Sequence, residues 1–140
     1  MLQEFRVRTK GEVQVVDLTP EVRAKVQASG VREGLACVFV AHSTCAVTTL
    51  EFEPGLAEED LPKALDRLFP RHGQGLQYGQ ERAWHDGNGH SHVRAAFLGP
   101  SLTIPVHEGQ PVLGTWQQVV LVELDPGPRE RRVVVQVVGA

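Results

Sequence analysis

Between Ser91 and Val138 the chain carries short apolar runs parted by connections of only a few residues. Their composition predicts strands at His92–Leu98, Leu102–Val106, Pro111–Leu113, Gln118–Leu124 and Arg131–Val138. The turns His107-Glu108-Gly109-Gln110 and Asp125-Pro126-Gly127-Pro128 are too short for the crossover that parallel strands need, so antiparallel pairing is expected. Val119-Val120-Leu121-Val122 is apolar without interruption, which predicts a central strand covered on both faces.

The first half adds strands and helices to this sheet system. Leu2–Thr9 and Glu12–Leu18 flank the turn signal Lys10-Gly11 and read as a hairpin. Thr19-Pro20-Glu21 predicts a helix start, with Thr19 capping and Pro20 in the first turn. Val22 and Val26 would share its buried face, and Gly30 would end it in a left-handed conformation. Gly34–Ala41 and Ala46–Glu51 read as strands. Leu61, Ala64, Leu65 and Leu68 recur at helical spacing within Gly55–Phe69, where Asp60 is the expected cap and Pro70 the stop. Arg71–His90, rich in Gly, Gln and His, reads as a long loop or ragged hairpin, and loops this long are commonly functional or disordered. No repeat or linker divides the 140 residues. The expected fold is a single α+β domain, a mainly antiparallel β-sheet or sandwich core with two helices.

Composition narrows the function. A hydrophobic fraction of 41% with 22% charged residues is a globular balance, and a net charge of −3 gives no electrostatic reason for a nucleic-acid or anionic-membrane partner. No apolar run reaches the roughly 18–20 residues of a membrane span. MLQEFRVRTK lacks the apolar core of a signal peptide, so a cytoplasmic location is expected. Scarce Asn, Met and Cys fit a heat-adapted source, although a GC-rich genome gives a similar bias. Two cysteines make no disulfide framework. Cys37, inside Ala36-Cys37-Val38-Phe39-Val40, is expected to be buried and inert. Trp116 is expected in the core.

The densest polar chemistry is His85-Asp86-Gly87-Asn88-Gly89-His90-Ser91-His92. Imidazoles and a carboxylate are metal ligands, and on a strand His90 and His92 would share a face. A solvated Asp-Gly and Asn-Gly turn is the simpler structural reading, but three histidines exceed what a turn requires. Ala41-His42-Ser43-Thr44-Cys45 follows an apolar strand. His42 is a candidate ligand or general acid/base, Ser43 and Thr44 can donate hydrogen bonds to a phosphate, and Cys45 stands near enough to His42 to be weighed as a nucleophile. No reactive-thiol pattern supports Cys45 beyond that proximity, so it is expected to be dispensable. Arg129, Arg131 and Arg132 could neutralise phosphate, but beside Glu130 they read as a solvated strand end.

Gly99-Pro100-Ser101-Leu102-Thr103-Ile104-Pro105, then Leu113-Gly114-Thr115-Trp116-Gln117, Glu123-Leu124-Asp125 and Arg132-Val133-Val134, occur in one order over nearly the whole chain. With His42-Ser43-Thr44, Glu51, Asp60 and Asn88-Gly89-His90-Ser91-His92, they make the chain resemble the YjbQ family, also described as secondary thiamine-phosphate synthase enzymes. The resemblance implies a compact α+β fold, a homotrimer, and a polar pocket containing His42 and His92. The activity it implies joins a thiazole phosphate to a hydroxymethylpyrimidine diphosphate and releases pyrophosphate. The chain departs from the family pattern in two ways. Gln80 stands where many members have the histidine of a Tyr-x-His string, and Leu50 and Phe52 replace asparagines beside Glu51. Both changes make the pocket less polar.

Together these readings give a small enzyme with thiamine-phosphate synthase-type activity as a side reaction and a different physiological substrate. His42, Asp86, Asn88 and His92 are the expected catalytic groups. Ser43, Thr44 and Arg132 would bind phosphate. His42, His92, Asp86 and His85 would hold a divalent metal, Mg or Zn. The competing class is a binder of a phosphorylated metabolite or a divalent metal without turnover.

Overall fold

A computed structural model describes residues 1–71 and 78–140. Two antiparallel sheets form the frame. Strands β1 (Leu2–Arg8), β3 (Glu33–Val40), β5 (Ser101–His107), β6 (Gln110–Pro111) and β8 (Glu130–Gly139) build one, in the order β1-β8-β3-β5-β6. Strands β2 (Gln14–Asp17), β4 (Cys45–Leu50) and β7 (Gln118–Glu123) build the other, in the order β2-β7-β4. The sheets pack face to face through Val38, Val40, Val47, Leu121, Val133 and Val135, with α1 (Thr19–Ser29) adding Val22 and Val26. The other face of β7, with Val120 and Val122, packs with Leu65 and Ala95 of the helices α2 (Leu61–Leu68) and α4 (Gly89–Leu98). Strand β7 is thus covered on both faces, as its unbroken apolar run requires.

Helix α1 follows its sequence signals except at the cap. The amide of Thr19 donates to the Asp17 carboxylate at 2.9 Å, while the Thr19 hydroxyl accepts the amide of Val119 at 2.9 Å. Capping therefore falls to Asp17, because the Thr19 hydroxyl is spent on tying the helix to β7. Gly30 ends the helix at φ 73°, as expected. Asp60 does not cap α2 either. A π-helical turn over Leu56–Asp60 runs straight into it, and the carboxylate of Glu53 receives the amides of Gly55 and Leu56.

The expected hairpin does not form. β1 pairs with β8 and β2 with β7, so Lys10-Gly11 carries the chain from one sheet to the other. Pro126-Gly127 carries β7 to β8 in the same way, and the two crossings touch. A Cβ at Gly11 would lie 2.6 Å from the Pro126 carbonyl oxygen, at φ 135°, so the crossing requires glycine there.

His92–Leu98 is helix α4, and α3 (Gly79–Trp84) occupies part of the expected loop, so the described residues hold four α-helices. Residues 72–77 of that loop lie outside the described residues. An apolar run this short does not distinguish strand from buried helix. The positions that α4 buries are Gly89, His90, Ser91, Arg94 and Ala95, a helical spacing hidden because three of the five are polar. Cys37 is exposed on the outer face of β3, alternating with buried Ala36 and Val38, and Trp116 is 73% exposed. Both corrections have one cause: an apolar residue on the open face of a strand, or in a connection, is not a core position.

Candidate functional site

Strand β3 ends at Val40, opposite Val133 of β8. The next amide of β8, Arg132, has no strand beyond that end, and the ring of His42 takes its place: Arg132 N–H donates to His42 Nε2 at 2.7 Å. Residues Ala41–Thr44 then turn the chain into the second sheet. Their anchor is a buried ion pair. Arg131 Nε donates to Glu123 Oε1 at 2.8 Å, and its Nη2 donates to the Thr44 hydroxyl at 2.8 Å and to the Thr44 carbonyl at 3.1 Å. Glu123 also accepts the Thr9 hydroxyl and, at 3.0 Å, the amide of Asp125. Arg131 is therefore no solvated strand end. A buried charge must be paired in this way, since an uncompensated one costs several kcal/mol, roughly 3–5 by mutational precedent.

A second arm comes from the start of α4. Asn88 Nδ2 donates to Asp125 Oδ1 at 3.2 Å, and Asn88 Oδ1 accepts Gln80 Nε2 at 3.0 Å. Asp125 Oδ2 accepts the amide of Gly127 at 3.2 Å and Arg129 Nε at 3.1 Å. Burial raises the Asp125 pKa, but the hydrogen bonds from Asn88, Arg129 and Gly127 outweigh it and hold the carboxyl below its usual range.

Between the two arms opens a cavity of about 610 Å³. The loop contributes Ala41, His42, Ser43 and Thr44, the helix Asn88 and His92, and the β7–β8 region Asp125, Arg129, Glu130 and Arg131. Helical geometry turns residues i and i+2 to opposite sides, so His90 and His92 part company. His90 is fully buried against Glu12 at 2.6 Å, whereas half-buried His92 lines the cavity. Burial, joined by the charge of Arg131, pulls the His42 pKa below the ordinary imidazole value. Cys45 is buried beneath the loop and its thiol pKa is pushed up to about 11, which removes the thiolate a nucleophile needs.

The cavity thus gathers His42, Ser43, Thr44, Asn88 and His92, and leaves out three sequence candidates. His85 ends α3 at φ 56° and is exposed. Asp86 is exposed and accepts Gln80 Nε2 at 3.2 Å. The Arg132 side chain pairs with Glu4 on the outer face, so only its backbone serves the site. Among the described residues no three His, Cys, Asp or Glu side chains are grouped to hold a metal ion. With Nε2 of His42 already accepting an amide proton, this donor set does not fit a resident Mg or Zn. Sequence reasoning read Arg131 as a solvated strand end and gave Glu123 no role of its own, yet a signal existed. Arg131 falls on the face of Val133 and Val135, and Glu123 on the face of Val119 and Leu121, so both point between the sheets.

The sequence model of the UPF0047 YjbQ-like proteins matches residues 3–140. A UPF0047 protein of Methanothermobacter thermautotrophicus is 40% identical over 137 residues, covering 98% of this chain and 91% of that protein. A hypothetical protein of Aeropyrum pernix superposes with a TM-score of 0.88 at 36% identity, covering 100% of this chain and 99% of that one. A YbjQ-like protein of unknown function from Sulfolobus solfataricus superposes with a TM-score of 0.85 at 33% identity, with the same coverage.

Proposed function

The chain belongs to the UPF0047 YjbQ-like family, and from that premise we propose that its cavity receives the phosphate group of a small metabolite and that His92 moves a proton there. The observation that carries this reading is His92 itself. It is a half-buried imidazole with no hydrogen-bond partner among the described residues, on the wall of a cavity that His42, Ser43 and Arg129 also line. Imidazole is the side chain whose ordinary charge change falls between pH 5 and 8, which suits it to general acid/base work. The guanidinium of Arg129 supplies charge, and the Ser43 hydroxyl a further hydrogen bond. The thiamine-phosphate-forming reaction is one candidate because both of its substrates carry phosphate, and it is taken as a side activity. Assembly as a homotrimer belongs to the same reading. The outer face of the five-stranded sheet exposes Leu2, Leu35, Phe39 and Val138, apolar area that neighbouring copies would cover.

Titrating inorganic phosphate and small phosphate monoesters into wild type and His92→Ala, with turnover assayed alongside, tests the proposal. The expected result is binding by both proteins and turnover by wild type alone. Binding without turnover in wild type assigns the cavity to a carrier of the metabolite, and no binding to either protein removes the reading.

A further inference from the structure

We infer that His42 is a locked hydrogen-bond donor, and that the cavity therefore grips an oxyanion directly, with no metal ion between protein and ligand. This rests on the phosphate-binding reading and specifies how the phosphate is held. The reasoning starts at the end of β3. An amide can only donate, so the 2.7 Å contact from Arg132 N–H obliges His42 Nε2 to offer its lone pair. A neutral imidazole has one ring proton, which must then sit on Nδ1. A metal needs a free lone pair on its ligand, and in this ring none is left. Nε2 is spent on the strand end and Nδ1 carries the proton. Coordination would require the ring to let go of the Arg132 amide or to ionise fully.

The buried carboxylates Asp125 and Glu123 are committed in the same way. Asp125, the carboxylate nearest in character to a metal ligand, accepts Asn88 on one oxygen and both Gly127 and Arg129 on the other. Glu123 is consumed by Arg131, Thr9 and Asp125. Among the described groups, the Nδ1–H of His42, the hydroxyl of Ser43 and the terminal nitrogens of Arg129 remain uncommitted, as do the ring of His92 and the exposed carboxylate of Glu130. The last two fall short of the three or four protein ligands of a zinc site, whereas the first three are donors whose common complement is a tetrahedral oxyanion: inorganic phosphate, or the phosphate of a monoester. Protonating the ring would set an Nε2–H against the Arg132 N–H, so the contact itself disfavours the imidazolium.

The test uses the full-length chain, ¹⁵N-labelled and stripped with EDTA. Long-range ¹H–¹⁵N correlation of the imidazoles reads the tautomer, with His42→Ala assigning the signal, and calorimetry with inorganic phosphate reads affinity with and without added Zn²⁺ or Mg²⁺. The expected result is an Nδ1–H ring for His42, signals that move on adding phosphate, and the same affinity whether or not metal is present. His42→Ala should weaken phosphate about tenfold to a hundredfold, the worth of one hydrogen bond to a charged group. Should that variant fail to fold, the wild-type tautomer and the metal dependence still decide. An Nε2–H ring, or phosphate binding that appears only with added metal, overturns the inference while leaving the phosphate reading standing. Absence of phosphate binding under every condition overturns both.

Discussion

His90 and His92 stand two residues apart on α4 and face into two different polar clusters. Around His90, every charge has an answer. Glu12 accepts His90 at 2.6 Å, lies 2.9 Å from Arg71 and 3.5 Å from Arg94, and Arg94 Nε donates to the carbonyl of Phe69 at 3.0 Å. Within this cluster, His90 Nδ1 is left buried without a partner among the described residues. Around His92 the framework is paired as well, Glu123 with Arg131 and Asn88 with Asp125, with Gln80 Oε1 its one buried atom without a partner among the described residues, but the groups in front of it are not. The difference separates two uses of polar residues. A closed network ties distant segments together, here the residue 12 connection, the end of α2 and α4. An open one, held rigid by a closed network behind it, can bind.

Substitutions can break this contrast, and the largest effect is expected behind the open site. Glu123→Ala strands Arg131, 3% exposed, and should cost about 3–5 kcal/mol in denaturant unfolding, with loss of the Ala41–Thr44 geometry and hence of phosphate binding. A cost near zero would mean that the pair does not support the loop.

Next comes the closed cluster. Glu12→Ala leaves His90 and Arg94 without their carboxylate and should cost about 1.5–3 kcal/mol, with phosphate affinity unchanged. Acid titration of unfolding sharpens the assignment. Burial raises the Glu12 pKa, but the hydrogen bond and charge of His90, with Arg71 and Arg94, overcome it and lower it on balance. A depressed carboxylate contributes stability that is present above its unfolded pKa, about 4.3, and lost as pH falls through the folded value. Glu12→Ala should flatten that limb. His42 acts in a higher window. Its folded pKa lies below the unfolded value of about 6.5, so the unfolded chain takes up the proton first and stability falls as pH drops below that value. His42→Ala should flatten this limb alone.

Smaller still is the stability effect of His92→Ala, within about 0.5 kcal/mol because the ring has no partner to lose among the described residues, although turnover should disappear. The smallest effect belongs to the thiols. Iodoacetamide at neutral pH should spare buried Cys45, read by mass spectrometry, with phosphate affinity unchanged.

Much of this architecture could be read from the chain, and the failures have physical causes. Strands β3, β4, β5, β7 and β8 and helix α1 follow from period and turn chemistry, which are local. The pairing of β1 with β8 does not, because a short turn proposes a hairpin and only the contact between Gly11 and Pro126 rejects it. Helix α4 was hidden because it buries His90, Ser91 and Arg94, residues that a hydrophobic pattern counts as surface. At the site, His42 and His92 could be nominated by type, and Asn88 by its company. Their setting in front of a buried Glu123–Arg131 pair needed the alternation of two strands from different sheets to be read together. The role of Arg132 lies in its backbone, which side-chain chemistry cannot announce.

Phosphate affinity and unfolding free energy, measured in one buffer for Glu12→Ala and Arg129→Ala, test the division between closed and open clusters most directly. The account predicts that Glu12→Ala loses stability and keeps the wild-type affinity. It predicts that Arg129→Ala, whose side chain is half exposed, changes stability by less than about 1 kcal/mol and weakens phosphate about tenfold or more. Equal phosphate affinity in the two variants, or a larger loss of affinity in Glu12→Ala, would contradict it.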